Sequence, residues 1–214
     1  MNILILDGHP DAGRLTTHLL DRYAAALPAH HQIGRIAVRD LDFAPNLQRG
    51  YQARTPWEPD VARVARALDA CDHLVVGFPM WWGGEPALLK GLLDRVLLPG
   101  FAFHTHAHDV WWDRLLAGRS GDAIITMDTP PLYLRIAYGN PVVRRWRHQV
   151  FGYCGIAPSR ILPLGPTNRG GTRKHLVKWE AQVARLAETA PGLRRPPKVS
   201  RLAGFLAASG ADAE

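Results

Sequence analysis

Apolar residues follow two periodicities along this chain. Short, nearly continuous apolar runs at Met1–Leu6, Ile33–Val38, Leu74–Phe78, Asp122–Thr126 and Ser159–Leu164 have the length and the lack of alternation expected of strands buried on both faces of a parallel sheet. Between them, apolar positions three and four apart predict helices. Arg14–Leu27 carries Leu15, Leu19, Leu20 and Tyr23 and is ended by Pro28, and Pro59–Ala70 carries Val61, Val64, Ala65 and Leu68. A third helix has Pro86 in its first turn and runs to Val96, a fourth covers Asn140–Phe151, and a fifth covers His175–Ala187. Strands alternating with helices in this way define an α/β fold: a three-layer, doubly wound, five-stranded parallel sheet of order 2-1-3-4-5.

In such a sheet, ligands bind at the carboxyl ends of the strands, so the loops leaving the strands decide the chemistry. After the first strand comes Asp7-Gly8-His9-Pro10-Asp11-Ala12-Gly13 and then a helix amino end, where free N–H groups suit a phosphate. Arg14, Thr16 and Thr17 add a charge and hydroxyls there. After the third strand, Pro79 fixes its own φ and holds Phe78 extended, so the strand is expected to stop at Phe78. Trp81-Trp82-Gly83-Gly84 then places two broad apolar faces beside two flexible residues, a combination that suits a flat ligand. After the fourth strand the loop is Thr126-Met127-Asp128-Thr129-Pro130-Pro131.

Two further stretches carry chemistry. Residues 44–59 form a long irregular connection, of the kind that is often functional, with Gln48, Tyr51 and Gln52 as candidates. His104, His106 and His108 alternate along an extended segment and could ligate a metal from one side. In the hydrolase signature His-x-His-x-Asp-His, however, the aspartate precedes the third histidine, whereas Asp109 follows His108 here. A loop in which a histidine, His106, touches substrate is the favoured reading, and no metal is expected.

Composition narrows the picture. The chain has 214 residues, enough for one core and cramped for two. Residues 1–190 are read as the domain, and 191–214, which begin Pro-Gly-Leu-Arg-Arg-Pro-Pro, as a flexible tail or a short terminal helix. Cys71 and Cys154 form neither a framework nor a Cys-x-x-Cys pair, which suits a reducing compartment. There is no long apolar run and no leader-like amino terminus, so a cytoplasmic protein without membrane insertion is expected. The net charge of +7 speaks to non-specific attraction, not to nucleic-acid function. Basic residues cluster at Arg144, Arg145 and Arg147 and again at Arg194, Arg195 and Lys198; a solvated basic face or tail is the favoured reading, with some of this charge open to an anionic cofactor or substrate.

The segment Phe-Pro-Met-Trp-Trp-Gly-Gly-Glu-Pro-Ala-Leu-Leu-Lys-Gly from Phe78, followed by Asp-Arg-Val and Pro-Gly-Phe-Ala-Phe, resembles the flavin loop of the NAD(P)H:quinone oxidoreductase family. That family has a flavodoxin-like fold and includes the ancillary flavoproteins of potassium efflux systems. The resemblance implies a flavin, FMN or FAD, that takes hydride from NAD(P)H and passes electrons to a quinone or similar small acceptor, in a homodimer. It implies His9, Arg14, Leu15 and Thr16 at the flavin phosphate, with Arg14 where the family has serine. Pro79, Met80, Trp81, Trp82 and Gly83 would lie along the ring, and Thr126, Met127, Asp128, Thr129 and Tyr133 at its pyrimidine edge. Asp128-Thr129 replaces the family's glycines, and a carboxylate there should turn away from a reduced ring or pair with a base such as Arg135. Tyr133 and Tyr138 are the candidate catalytic groups, Tyr138 standing where quinone reductases have histidine. Trp82, Phe103 and His106 are the candidate substrate contacts. Two alternatives stay open: a regulatory or electron-carrier flavoprotein without a dedicated substrate, and, more remotely, a metal-dependent hydrolase using the histidines at 104–108.

Overall fold

A computed structural model describes residues 1–208. The chain opens with β1 (Asn2–Asp7), α1 (Leu15–Ala26) and β2 (Gln32–Ala37), followed by α2 (Pro59–Ala70), β3 (His73–Pro79) and α3 (Ala87–Val96). A small hairpin, β4 (Phe103–Thr105) and β5 (Trp112–Arg114), precedes β6 (Ser120–Thr126). Then come α4 (Pro131–Ala137), α5 (Pro141–Arg144) continuing as a π-helix over Arg145–Gly152, β7 (Ser159–Leu164), α6 (Gly171–Thr189) and α7 (Leu202–Ala207).

The main sheet is entirely parallel, in the order β2-β1-β3-β6-β7. This is the expected 2-1-3-4-5 arrangement, with the numbering advanced because the antiparallel β4–β5 pair lies outside the sheet. β3 and β6 are buried along their whole length; the polar residues this takes in are paired, the His73 ring with Ser120 at 2.8 Å and with Asp122 at 3.2 Å. β2 is mostly exposed, because it is an edge strand with a neighbour on one side only. The core divides across the sheet. Ile3, Ile5, Val75 and Ile124 face α1 and α6, whereas Leu4, Leu6, Leu74 and Val76 face α2, α3 and the π-helix.

Three expectations need correction. β3 does not stop at Phe78: Pro79 pairs with Thr126, and the Met80 amide donates to the Thr126 carbonyl at 2.8 Å. β1 ends opposite Gly77, so at Pro79 the strand has a partner on one side only, and a residue without an N–H is tolerated there. The single helix expected over Asn140–Phe151 is a short α-helix and a π-helix, entered through Asn140 at φ 60°. α4 precedes them and escaped notice, because only Leu134 of its seven residues is buried.

The segment beyond Pro191 is laid back across the domain. Arg119, a buried side chain, donates to the Val199 carbonyl at 2.7 Å, and Lys198 donates to the Ala70 carbonyl at 2.7 Å. Of the two forms expected, the short terminal helix is present as α7, and its Phe205 ring stacks against Trp57 at 4.4 Å between centroids. The remainder of the expected tail, 209–214, lies outside the described residues.

The 44–58 connection is pinned at its base. The Arg95 guanidinium of α3, fully buried, donates to the carbonyls of Ala44 and Pro56 and to both oxygens of Glu58. Gly91 permits the approach, since a Cβ there would sit 2.5 Å from Pro45.

Candidate active site

Asp7, at the carboxyl end of β1, is fully buried and organises the first loop. Its carboxylate accepts from the His9 amide at 3.1 Å, the Thr17 hydroxyl at 2.8 Å and Arg39 at 2.8 Å. Sequence reading gave it no role. The signal was available, since a carboxylate ending a buried strand needs donors. The His9 Nδ1 accepts the Asp11 amide at 3.0 Å, which leaves the proton on Nε2. Burial pushes the imidazole pKa down in spite of the neighbouring Asp7, and the neutral ring meets Trp81 edge-on at 5.8 Å.

The amino end of α1 is open. Arg14 occupies the cap position without a side-chain cap bond, and among the described residues the amides of Leu15, Thr16 and Thr17 have no acceptor. The side chains depart from expectation. Arg14 pairs on the surface with Asp11, its Nε at 2.6 Å. The Thr16 hydroxyl, expected to face a phosphate, is buried and meets the Thr126 hydroxyl at 3.0 Å. Helix periodicity explains this: Thr16, Leu19, Leu20 and Tyr23 are the buried residues of α1. The N–H groups, not the hydroxyls, face outward.

The double tryptophan forms a tight turn. The Trp81 and Gly84 backbones exchange hydrogen bonds at 2.9 and 3.1 Å, while Trp82 and Gly83 take φ of 51° and 82°. A bulky residue at positive φ is an outlier, and one of the sequence's broadest apolar side chains is fully solvent-exposed on it. The Trp82 and Gly83 amides have no hydrogen-bond acceptor among the described residues. Below the turn, Glu85 accepts from both Arg145 nitrogens, Nη2 at 2.7 Å, and from Trp146 Nε1 at 3.2 Å. Burial alone would raise the pKa of this carboxyl, but the Arg145 bonds outweigh it and hold it below the usual glutamate value.

The loop after β6 completes the edge. Met127 is core, not surface, because its side chain continues the inward register of β6 and its backbone bonds to Leu164 and Thr167. Asp128 does turn aside, but not to Arg135: its two oxygens accept from the Thr167 hydroxyl and the Asn168 amide of the loop after β7. Those two residues went unnoticed in the sequence, although they follow a strand at the same sheet edge. The Asp128 and Thr129 amides point to no acceptor among the described residues. Tyr133 on α4 and Tyr138 just after it are both exposed and pack edge to face at 5.3 Å.

Some predicted residues lie elsewhere. Phe103 is buried against Tyr153 (5.0 Å) and Tyr51 (6.3 Å), in the wall of a cleft of about 860 Å³ that Trp82 does not line. Within one chain, this cleft does not join Phe103 to Trp82. His106 is exposed, 3.4 Å from Asp113. His104 and His106 touch edge to face at 5.2 Å, and among the described residues no three histidine, cysteine or carboxylate groups converge as metal ligands.

A doubly wound 2-1-3-6-7 sheet whose three carboxyl-edge loops offer free amides beside an exposed aromatic turn is the architecture of a flavodoxin-like protein. Residues 1–187 match the model of the flavodoxin-like fold family, and the chain belongs to that family. Within it, the chain belongs with the NAD(P)H:quinone oxidoreductases, as the resemblance implied. It is 31% identical over 184 residues to the FMN-dependent NADH:quinone oxidoreductase of Cereibacter sphaeroides, covering 81% of this chain and 90% of that one. It is 29% identical over 157 residues to rat NAD(P)H dehydrogenase [quinone] 1 and covers 57% of that longer relative. Among solved structures, the NAD(P)H:quinone oxidoreductase of Methanothermobacter marburgensis superposes with a TM-score of 0.71 at 20% identity, covering 88% of this chain and 96% of that one. That likeness shows a shared fold.

Proposed function

We propose that this protein is a flavin-dependent NAD(P)H oxidoreductase that reduces a quinone or similar small acceptor, working in the cytoplasm as a homodimer. The observation that carries the reading is the set of three unbonded amide groups at one sheet edge: Leu15–Thr17, Trp82–Gly83 and Asp128–Thr129. Their chemistry fits a flavin mononucleotide unit. An open helix amino end suits the phosphate, and two further amide pairs suit the polar atoms of a ring that also needs the apolar faces of Trp81 and Trp82. A second groove, of about 570 Å³, runs from Asp128 and Asn168 to Arg169 and Lys174 and suits the diphosphate extension of FAD.

When bound, the flavin supplies the hydride and electron chemistry between NAD(P)H and the acceptor. The chain's own residues do the rest. The Leu15–Thr17 amides anchor, His9 holds Trp81 edge-on, and Glu85 with Arg145 and Trp146 fixes the base of the Trp82 turn. The amides of Asp128 and Thr129 stabilise negative charge, while the Asp128 carboxylate is kept occupied by Thr167 and Asn168. The Tyr133 and Tyr138 hydroxyls serve as donors at the acceptor. Neither side chain is an imidazole, the usual proton relay, so acceptor turnover is expected to lean on binding and orientation.

What one chain leaves open supports the dimer. Trp82 stands fully exposed, and the Phe103 cleft, with Tyr51 and Tyr153 beside it, faces outward without it. Two copies would bring one chain's cleft to the other's turn, supplying the Trp82–Phe103 slot. The two cysteines are free and buried, with their thiols pushed up to about 12 by burial, as suits a reducing compartment.

The test is the visible absorption spectrum of purified protein after addition of FMN or FAD and removal of the excess, followed by anaerobic NAD(P)H and then menadione. A retained flavin band, bleached by NAD(P)H and restored by menadione, is the expected result. A band that NAD(P)H leaves untouched would favour a regulatory or carrier flavoprotein, and absence of any band would overturn the site.

A further inference from the structure

The sequence clusters Arg144, Arg145 and Arg147, and the structure separates the three. Arg145 is committed to Glu85, so its charge is matched inside the fold. Arg147 is exposed and lines none of the clefts described above or below. Arg144 turns into a cleft of about 620 Å³ whose other walls include Gly83, Tyr138 and His148. Among the described residues Arg144 has no ion-pair partner, and no carboxylate lines this cleft. His148, four residues on, lies on the same helical face. Neither Gly83 nor Gly139 has any atom within 4 Å of where a Cβ would stand, so the cleft is open from the tryptophan turn to the arginine.

We infer that this cleft seats phosphate groups of the reduced nicotinamide nucleotide, with Arg144 as the principal contact and His148 as a second donor. The inference rests on the oxidoreductase reading above. A nucleotide whose nicotinamide lies over the Trp82–Gly83 turn must run its phosphates along an adjoining surface. This cleft begins at Gly83 and carries an unmatched guanidinium, whose planar fork matches phosphate oxygens in two parallel bonds. In the 860 Å³ cleft on the other side of Arg145, by contrast, Lys90 is already paired with Asp94 at 2.6 Å. Phosphate recognition here has two sources, the diphosphate common to both nucleotides or the 2′-phosphate that only NADPH carries, and the probes separate them.

The experiment is calorimetric titration of the flavin-loaded protein with ADP-ribose 2′-phosphate and with ADP-ribose, which share the diphosphate and cannot reduce the flavin, in wild type and in Arg144→Gln, Arg144→Lys, Arg147→Gln and Lys174→Gln variants. A lost charge-assisted contact predicts that Arg144→Gln weakens binding about ten- to a hundredfold, that Arg144→Lys restores part of it, and that Arg147→Gln changes nothing. Weakening confined to ADP-ribose 2′-phosphate assigns the 2′-phosphate and predicts NADPH preference. Equal weakening of both probes assigns the diphosphate. In steady-state kinetics the KM for the nucleotide should rise while kcat and the menadione KM hold. Unchanged binding in Arg144→Gln with unchanged circular dichroism, or loss in Lys174→Gln instead, would overturn the inference. If wild-type flavin is not reduced by NAD(P)H at all, the functional reading fails on separate evidence, because the titration needs no reduction.

Discussion

Arg95→Met is the most informative single change to the scaffold beside this site. Arg95 is fully buried and makes bonds of 2.8 Å to the Pro56 carbonyl and 2.9 and 2.6 Å to Glu58, with a fourth to the Ala44 carbonyl. Methionine fills a similar volume but donates nothing. Removing one member of a buried ion pair costs about 3–5 kcal/mol, chiefly because the other charge is left unmatched. Glu58 keeps 30% side-chain exposure and can turn toward water, which lowers the expected loss to about 2–4 kcal/mol. For a chain of this size that is a drop in Tm of about 5–15 °C. Urea and thermal unfolding of Arg95→Met, Glu58→Gln and the double variant form a thermodynamic cycle. The double variant should be more stable than the sum of the singles implies, by about 1 kcal/mol or more, because the stranded carboxylate is gone. The loop that Arg95 pins carries Tyr51 to the Phe103 cleft, so KM for the acceptor should rise with little change in flavin retention. An Arg95→Met protein within about 0.5 kcal/mol of wild type, or singles that simply add, would refute the claim that the pin is electrostatic.

Two further outcomes follow from the same geometry. Trp82→Gly relieves a left-handed conformation at φ 51°, so its Tm should hold or rise by a few degrees while flavin retention on gel filtration falls; a clear loss of Tm would mean that the turn is not strained. Glu85 titrates below the usual glutamate value of 4.5 in the folded protein, since Arg145 outweighs burial. Its stabilisation is therefore present above pH 4.5 and disappears as pH falls through the lowered folded value. The stability gap between wild type and Glu85→Gln should shrink as urea unfolding is repeated from pH 7 down to pH 3, and a gap that stays constant would show that the Arg145 contacts do not set this carboxyl.

The sequence by itself determined the fold class and pointed to the sheet edge where the candidate site lies. Short apolar runs alternating with helical periodicity suit strands inside a parallel sheet, and β3 and β6 are buried throughout. Trp81, Trp82 and Gly83 announced a loop, and the flavodoxin-like family match over residues 1–187 agrees with the resemblance that loop carried. Tertiary structure decided the direction each polar group faces. Thr16 looked like a phosphate ligand because it follows a glycine turn, yet its helical phase turns the hydroxyl inward to Thr126, 110 residues away. Asp128 meets Thr167 and Asn168 because β7 lies next to β6, a neighbour relation that local sequence does not encode. The three arginines at 144–147 read as one patch, and only the packing of the π-helix on Glu85 left one of them free at the cleft. Local periodicity depends on which residues avoid water and is legible in a window of a few residues. Partner choice depends on which strands lie side by side, and long-range pairing alone sets that.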